Sequence, residues 1–207
     1  MIDKLQFISS QHGGITHIES IQHALDAGCR WIQLRIKDQP LEVVLKIAFE
    51  AANLCNRYHA KLIINDFASV AKETNAYGLH LGLNDMSIIN ARKITGNKMI
   101  IGGTANTLED ILKRIKEGAD YVGLGPFRFT STKQKLSPVL GLEGYRTQME
   151  ALKKLGQSIP VIAIGGITAE DIPEILETGI FGIAMSGSII HSENKKDLIS
   201  KINNILC

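Results

Sequence analysis

Little in this chain suggests a secreted, membrane-embedded or metal-stapled protein. It has only three cysteines in 207 residues. Cys29, Cys55 and Cys207 are odd in number and show no CxxC spacing, which argues against a disulfide framework or a cysteine-built zinc site. They read as reduced thiols in a cytoplasmic protein. Nowhere do about 18 apolar residues follow one another. The opening MIDKLQFISSQHGG has no basic segment leading into a long apolar run, so neither a membrane span nor a secretory leader is expected. An excess of one charge is missing too: 23 basic and 21 acidic residues are interspersed and leave a net charge of +2. No basic stripe is available for nucleic acid, while small anionic ligands stay eligible.

What is present suits a globular enzyme. With 44% hydrophobic and 21% charged residues, the chain reads as one domain over 1–207, large enough to bury its own core. Short apolar runs alternate with segments of helical period, the pattern of βαβ units around a parallel sheet. Eight strands are expected: Leu5 to Ser9, Trp31 to Ile36, Leu62 to Asn65, Gly78 to Leu81, Met99 to Gly103, Tyr121 to Gly125, Val161 to Gly165, and Phe181 to Ser186. Runs such as VIAI and YVGL do not alternate polar with apolar, as expected of parallel strands covered on both faces. Between them lie helices such as Leu41 to Arg57, with Val44, Leu45, Ala48, Ala51, Ala52 and Cys55 at helical spacing. DAGCRWIQLR, EGADYVGLGP and ETGIFGIAMSG each place a helix-terminating Gly before a strand. A unit of roughly 25 residues, eight times over, favours a closed (β/α)8 TIM barrel over an open sheet. Pro126 to Gly141 forms a long stretch without clear period, rich in Ser, Thr and Lys, of the kind that usually carries function.

In such barrels the active site sits at the carboxyl ends of the strands. After the second strand, period-two alternation puts Gln33, Arg35 and Lys37 on one face, a set suited to a polyphosphate, although Lys37 solvated and Arg35 paired to a carboxylate would read the same. After the third and fourth come Asn65-Asp66 and His80-Leu81-Gly82-Leu83-Asn84-Asp85. Each aspartate precedes a helix and suits an N-cap. Together, close to Arg35 and Lys37, they equally suit Mg2+ held by one or two carboxylates and substrate phosphate oxygens. His80 is read as a structural residue. The fifth strand delivers Thr104 and Asn106 on a flexible turn. The long loop carries Thr130, Ser131, Thr132 and Lys133, an anion-binding cluster or a plain polar loop. After the seventh and eighth strands, Gly165-Gly166 and Ser186-Gly187 let backbone N–H groups approach a phosphate, where this fold often places one. Two phosphate subsites are expected: one with a metal across strands two to four, the other across strands seven and eight.

These residues resemble the thiamine-phosphate synthase family through QLRIK, IINDFASVA, GLHLGLND, GADYVGLGP, TSTK, IPVIAIGGI and GIAMSGSI, in this order along nearly the whole chain. The resemblance implies that Gln33, Arg35, Lys37, Asn65, Thr104 and Lys133 hold 4-amino-2-methyl-5-pyrimidinylmethyl diphosphate. It implies magnesium between Asp66, Asp85 and the diphosphate, and a thiazole phosphate held by Thr130, Thr132, Gly166, Ser186 and Gly187, with Ser131 beside them. Diphosphate would leave, and the thiazole nitrogen would capture the carbocation, with Arg35, Lys37 and Lys133 as the catalytic cations. The sequence departs from the family pattern at Gly102-Gly103-Thr104-Ala105-Asn106, where Gly-x-Ser-x-His is expected and the hydroxyl is kept but the imidazole lost, at Ser186-Gly187 in place of a Val-Ser pair, and at Phe129 in place of Pro. A thiazole tautomerase and a silent ligand-binding barrel are the competing readings. Assembly as a homo-oligomer is left open.

Overall fold

The computed structural model describes residues 2–129 and 138–207. Strands β1 (Leu5–Ile8), β2 (Trp31–Leu34), β3 (Lys61–Asn65), β4 (Gly78–Leu81), β5 (Ile100–Ala105), β6 (Tyr121–Leu124), β7 (Val161–Ile164) and β8 (Gly182–Met185) close into one barrel in sequence order. Every neighbouring pair is parallel, and β1 closes on β8. Helices α1 (His17–Asp26), α2 (Leu41–Arg57), α3 (Ala68–Glu73), α4 (Ile88–Thr95), α5 (Leu108–Glu117), α6 (Gly141–Lys154), α7 (Ile172–Glu177), α8 (Gly187–Ile190) and α9 (Lys195–Leu206) surround it. This is the (β/α)8 barrel that the alternation predicts. Among the described residues, no helix is long and apolar enough to cross a membrane.

The strand pattern follows from what covers each face. Ile32, Leu34, Ile64, Leu79, Leu81, Val122, Leu124 and Ala163 point outward into one continuous core with the helices. Ile8, Trp31, Ile63, Tyr121, Ile162 and Ala184 point inward and plug the barrel. Each fully buried Ile or Leu contributes about 1.5–3 kcal/mol, and nearly all of these side chains are sealed from water. The plug works by pairing large with small residues. Tyr121 lies beside Gly102 in register, and a Cβ at Gly102 would collide with the Tyr121 ring. Trp31 then meets Tyr121 edge to face at 5.2 Å between ring centroids, worth about 0.5–1.5 kcal/mol beyond burial.

Most strand bounds lie within one residue of expectation, and two strand ends differ by two residues. The second strand ends at Leu34, not Ile36, because the Arg35 amide leaves the ladder and donates to Ser9 Oγ at 3.2 Å. Arg35 and Lys37 therefore stand beyond the strand, free of its alternation. The fifth strand runs on to Ala105, since Thr104 pairs with Gly123 and Ala105 with Leu124. Thr104 is thus a strand residue facing the barrel interior, not part of a flexible turn. Helix α2 has the predicted bounds, and the glycines read as helix terminators, Gly28, Gly118 and Gly179, all take a left-handed backbone.

Candidate active site

The carboxyl ends of β2, β3 and β4 bring four of the expected side chains together. Lys37 forms an ion pair with Asp66. Asp66 in turn shares a hydrogen bond with Asp85, so two carboxyls and an ammonium form one cluster. Neither aspartate caps a helix: Phe67 occupies the N-cap of α3 without a side-chain bond, and Ser87 caps α4 by accepting from the Asn90 amide. Asp85 instead turns back and accepts from the Gly82 amide at 2.6 Å. Asp66 adopts φ +67°, a region that costs a non-glycine residue on the order of 1 kcal/mol and is enriched at functional sites. Its amide bond to the His80 carbonyl at 2.8 Å helps hold it there.

Electrostatics separate the two acids. Burial, and then the hydrogen bond shared with Asp85, push the Asp66 carboxyl up to about 6 against the pull of Lys37. Burial also works upward on Asp85, but the bonds from Asp66 and the Gly82 amide, with the charges of Lys37 and His80, hold it below its ordinary value. Two like acids this close share one proton readily in the absence of a cation. Beside them, buried Asn65 has an Nδ2 donor with no protein acceptor among the described residues.

Beneath this rim runs a chain of polar groups along the barrel axis. Thr104 Oγ1 lies 3.0 Å from His80 Nε2, and His80 Nδ1 lies 3.1 Å from the Tyr121 hydroxyl. Gln6 and Gln33 are buried inside the same barrel, where Gln6 Nε2 has no hydrogen-bond partner among the described residues. Thr104, expected as a ligand contact, is thus met by His80, read from the sequence as structural, and through it joins Tyr121, which sequence reasoning passed over. The available signal was period-two alternation: Gln6, Gln33, His80 and Thr104 all occupy inward positions of their strands.

Across the mouth, the ends of β1, β7 and β8 line a cavity of about 430 Å³. Gly165, Gly166, Ser186 and Gly187 form one wall, with Arg35 on the side nearest Lys37. Gly165 and Gly166 both have positive φ, +101° and +69°. Ser188, from α8, donates to the Ile167 carbonyl at 2.7 Å and ties the two glycine turns together. His12 and His191, also at this wall and not anticipated, pack edge to face with centroids 4.4 Å apart. Thr130, Ser131, Thr132 and Lys133 lie outside the described residues.

The departures from the family pattern acquire local reasons. A Cβ at Gly103 would meet Arg114 Cδ at 2.6 Å, so this glycine admits a buried arginine from α5. Arg114 then donates to the Gly82 carbonyl at 2.8 Å and the Thr104 carbonyl at 3.2 Å, bracing β4 and β5 from behind, with Glu117 as its counter-ion at 3.0 Å. Asn106, where an imidazole is usual, donates to the Gly125 carbonyl and joins β5 to β6. Ser9 accepts the Arg35 amide and lies 2.9 Å from His17 Nδ1, giving Arg35 a fixed point of departure.

Comparison with known proteins agrees with this geometry. The family described as Thiamine monophosphate synthase matches residues 5–189. A thiamine-phosphate synthase of Flavobacterium johnsoniae is 51% identical over 206 residues, covering 100% of this chain and 97% of its own. That of Bacteroides thetaiotaomicron is 50% identical over 201 residues, covering 97% and 96%. Among solved structures, a thiamine phosphate pyrophosphorylase from Pyrococcus furiosus superposes with a TM-score of 0.82 at 33% identity, over 98% of this chain and 95% of that one. On this sequence and structural similarity, the chain belongs to the thiamine-phosphate synthase family, transferases of thiamine biosynthesis.

Proposed function

We propose that this enzyme joins 4-amino-2-methyl-5-pyrimidinylmethyl diphosphate to a thiazole phosphate, giving thiamine phosphate and diphosphate. The observation that carries the reading is the division of one barrel mouth into a charged rim at β2–β4 and a glycine-walled cavity at β7–β8, with Arg35 between them. Gln33, Arg35, Lys37, Asn65, Thr104 and Lys133 would hold the diphosphate substrate. Gly166, Ser186 and Gly187, with Thr130, Ser131 and Thr132, would hold the thiazole phosphate.

The donor set at the charged rim fits magnesium. Asp66 and Asp85 offer neighbouring carboxylate oxygens of the kind magnesium takes as ligands. When bound there, magnesium would neutralise charge on the diphosphate. The protein's own part is electrostatic and positional. Arg35, Lys37 and Lys133 stabilise the negative charge that grows as the pyrimidine methylene carbon–oxygen bond breaks and the electron pair leaves with diphosphate. The glycine turns hold the thiazole so that its ring nitrogen lone pair meets the methylene carbocation, forming the C–N bond and leaving a thiazolium. No protein nucleophile is required.

We place the enzyme in the cytoplasm, acting as one catalytic domain over 1–207 on small phosphorylated partners. Burial of Cys29 and Cys55 pushes both thiols up to about 12 and leaves them unreactive. Incubation of the purified protein with both substrates and magnesium is expected to yield thiamine phosphate. Interconversion of thiazole phosphate isomers without that product would instead favour the tautomerase reading.

A further inference from the structure

Arg128 makes a set of contacts that none of the expected roles uses. It stands just after β6, and its backbone continues the pairing with β7: the Phe127 amide donates to the Ile164 carbonyl and the Arg128 amide to the Gly165 carbonyl, both at 2.9 Å. Its guanidinium then reaches over the β7 turn. Nη1 donates to the Gly166 carbonyl at 3.0 Å and to Asp171 Oδ2 at 2.6 Å, while Nη2 donates to Asp171 Oδ1. The guanidinium carbon stands 4.7 Å from the centroid of the Phe127 ring.

Asp171 is equally committed. Besides the forked pair with Arg128, its Oδ2 accepts from the Thr168 amide at 2.8 Å and the Thr168 hydroxyl at 3.0 Å. The carboxylate thereby joins the far end of the β7 turn to the base of the loop that follows β6. Between these anchors lie Gly165 and Gly166, both in the left-handed region. The fit is close, since a Cβ at Gly166 would meet Arg128 Cβ at 2.9 Å. A turn of two glycines has several accessible shapes in isolation; the forked pair selects one of them, because a planar guanidinium bound to both carboxylate oxygens fixes direction as well as distance.

We infer that Arg128 and Asp171 are positioning residues that clamp the Gly165-Gly166 turn in the shape that receives the phosphate of the thiazole substrate. The inference rests on the proposed function for the identity of that substrate, but not for the clamp itself. Neither side chain lines the cavity, so both act through the turn.

Arg128→Gln and Asp171→Asn are each expected to raise the KM for the thiazole phosphate about ten-fold, with the KM for the pyrimidine diphosphate changed by less than about two-fold. Arg128→Lys should restore only part of the loss, because an ammonium cannot form the forked pair. The double variant should be no worse than the more damaged single variant, as expected of two ends of one interaction. Inorganic phosphate, titrated calorimetrically, reads the clamp without turnover and should bind about ten-fold more weakly to both single variants. Phosphate affinity equal to that of the unaltered enzyme in both would overturn the clamp, as would equal rises in the two KM values. If the unaltered enzyme formed no thiamine phosphate, the proposed function would fail, and the phosphate titration would still decide the clamp.

Discussion

The two sides of the barrel mouth are built by different means. At β2–β4 the building is done by charged side chains: Lys37 pairs with Asp66, and Asp66 adjoins Asp85. At β7–β8 it is done by backbone: Gly165, Gly166 and Gly187 present peptide groups, and the nearby charges of Arg128 and Asp171 are spent on each other. The contrast suits the expected ligands. A leaving diphosphate gains charge as the reaction proceeds, which mobile cations and a metal can follow. A thiazole phosphate keeps its charge and needs only to be held in place, for which fixed amides suffice.

The comparison can be broken most severely at the carboxylates. Asp85→Asn, and likewise Asp66→Asn, should lower magnesium-supported turnover by about 100-fold or more while the thermal midpoint holds, because neither side chain caps a helix. Unchanged turnover would remove the metal from the charged side. A second variant probes what lies beneath it. Tyr121→Phe deletes the hydroxyl that meets His80 Nδ1 and leaves a buried polar group without that partner, at about 1–3 kcal/mol of stability. Chemical denaturation would measure that, and the KM for the pyrimidine diphosphate should rise more than that for the thiazole phosphate. On the backbone side, Gly166→Ala imposes a strained φ and a clash with Arg128. It should cost about 1–2 kcal/mol and act chiefly on the KM for the thiazole phosphate.

The smallest effect joins the two sides. Burial, and then the charge of Arg35, hold the His17 imidazole below its ordinary 6.5. The unfolded chain therefore binds this proton more readily than the folded one, so the stability contributed is present above pH 6.5 and is lost as pH falls toward the folded value. His17→Asn should flatten the decline in denaturation midpoint between about pH 7 and 5. An identical pH slope in the variant would detach His17 from the folding equilibrium.

The contrast between the two sides also sets what was legible in the sequence. The barrel was readable because apolar runs repeat eight times, three of them preceded by a helix-ending glycine, and the charged rim because Arg35, Lys37, Asp66 and Asp85 lie just after strands. Strand ends were less so: Arg35 leaves the ladder for the Ser9 hydroxyl, a bond across the sheet that no local pattern announces. His80 looked structural because a lone imidazole at a strand end carries no partner in its own neighbourhood; Thr104 and Tyr121 reach it from other strands. Arg114 and Arg128 were passed over for the same reason. The meaning of each lies in a distant carbonyl or carboxylate.

The division of labour itself is tested most directly by measuring both KM values in Lys37→Met and Gly166→Ala. A crossed result is predicted, with Lys37→Met raising the KM for the pyrimidine diphosphate and Gly166→Ala that for the thiazole phosphate. Parallel rises in both variants would contradict it and mean that the mouth of the barrel acts as a single undivided site.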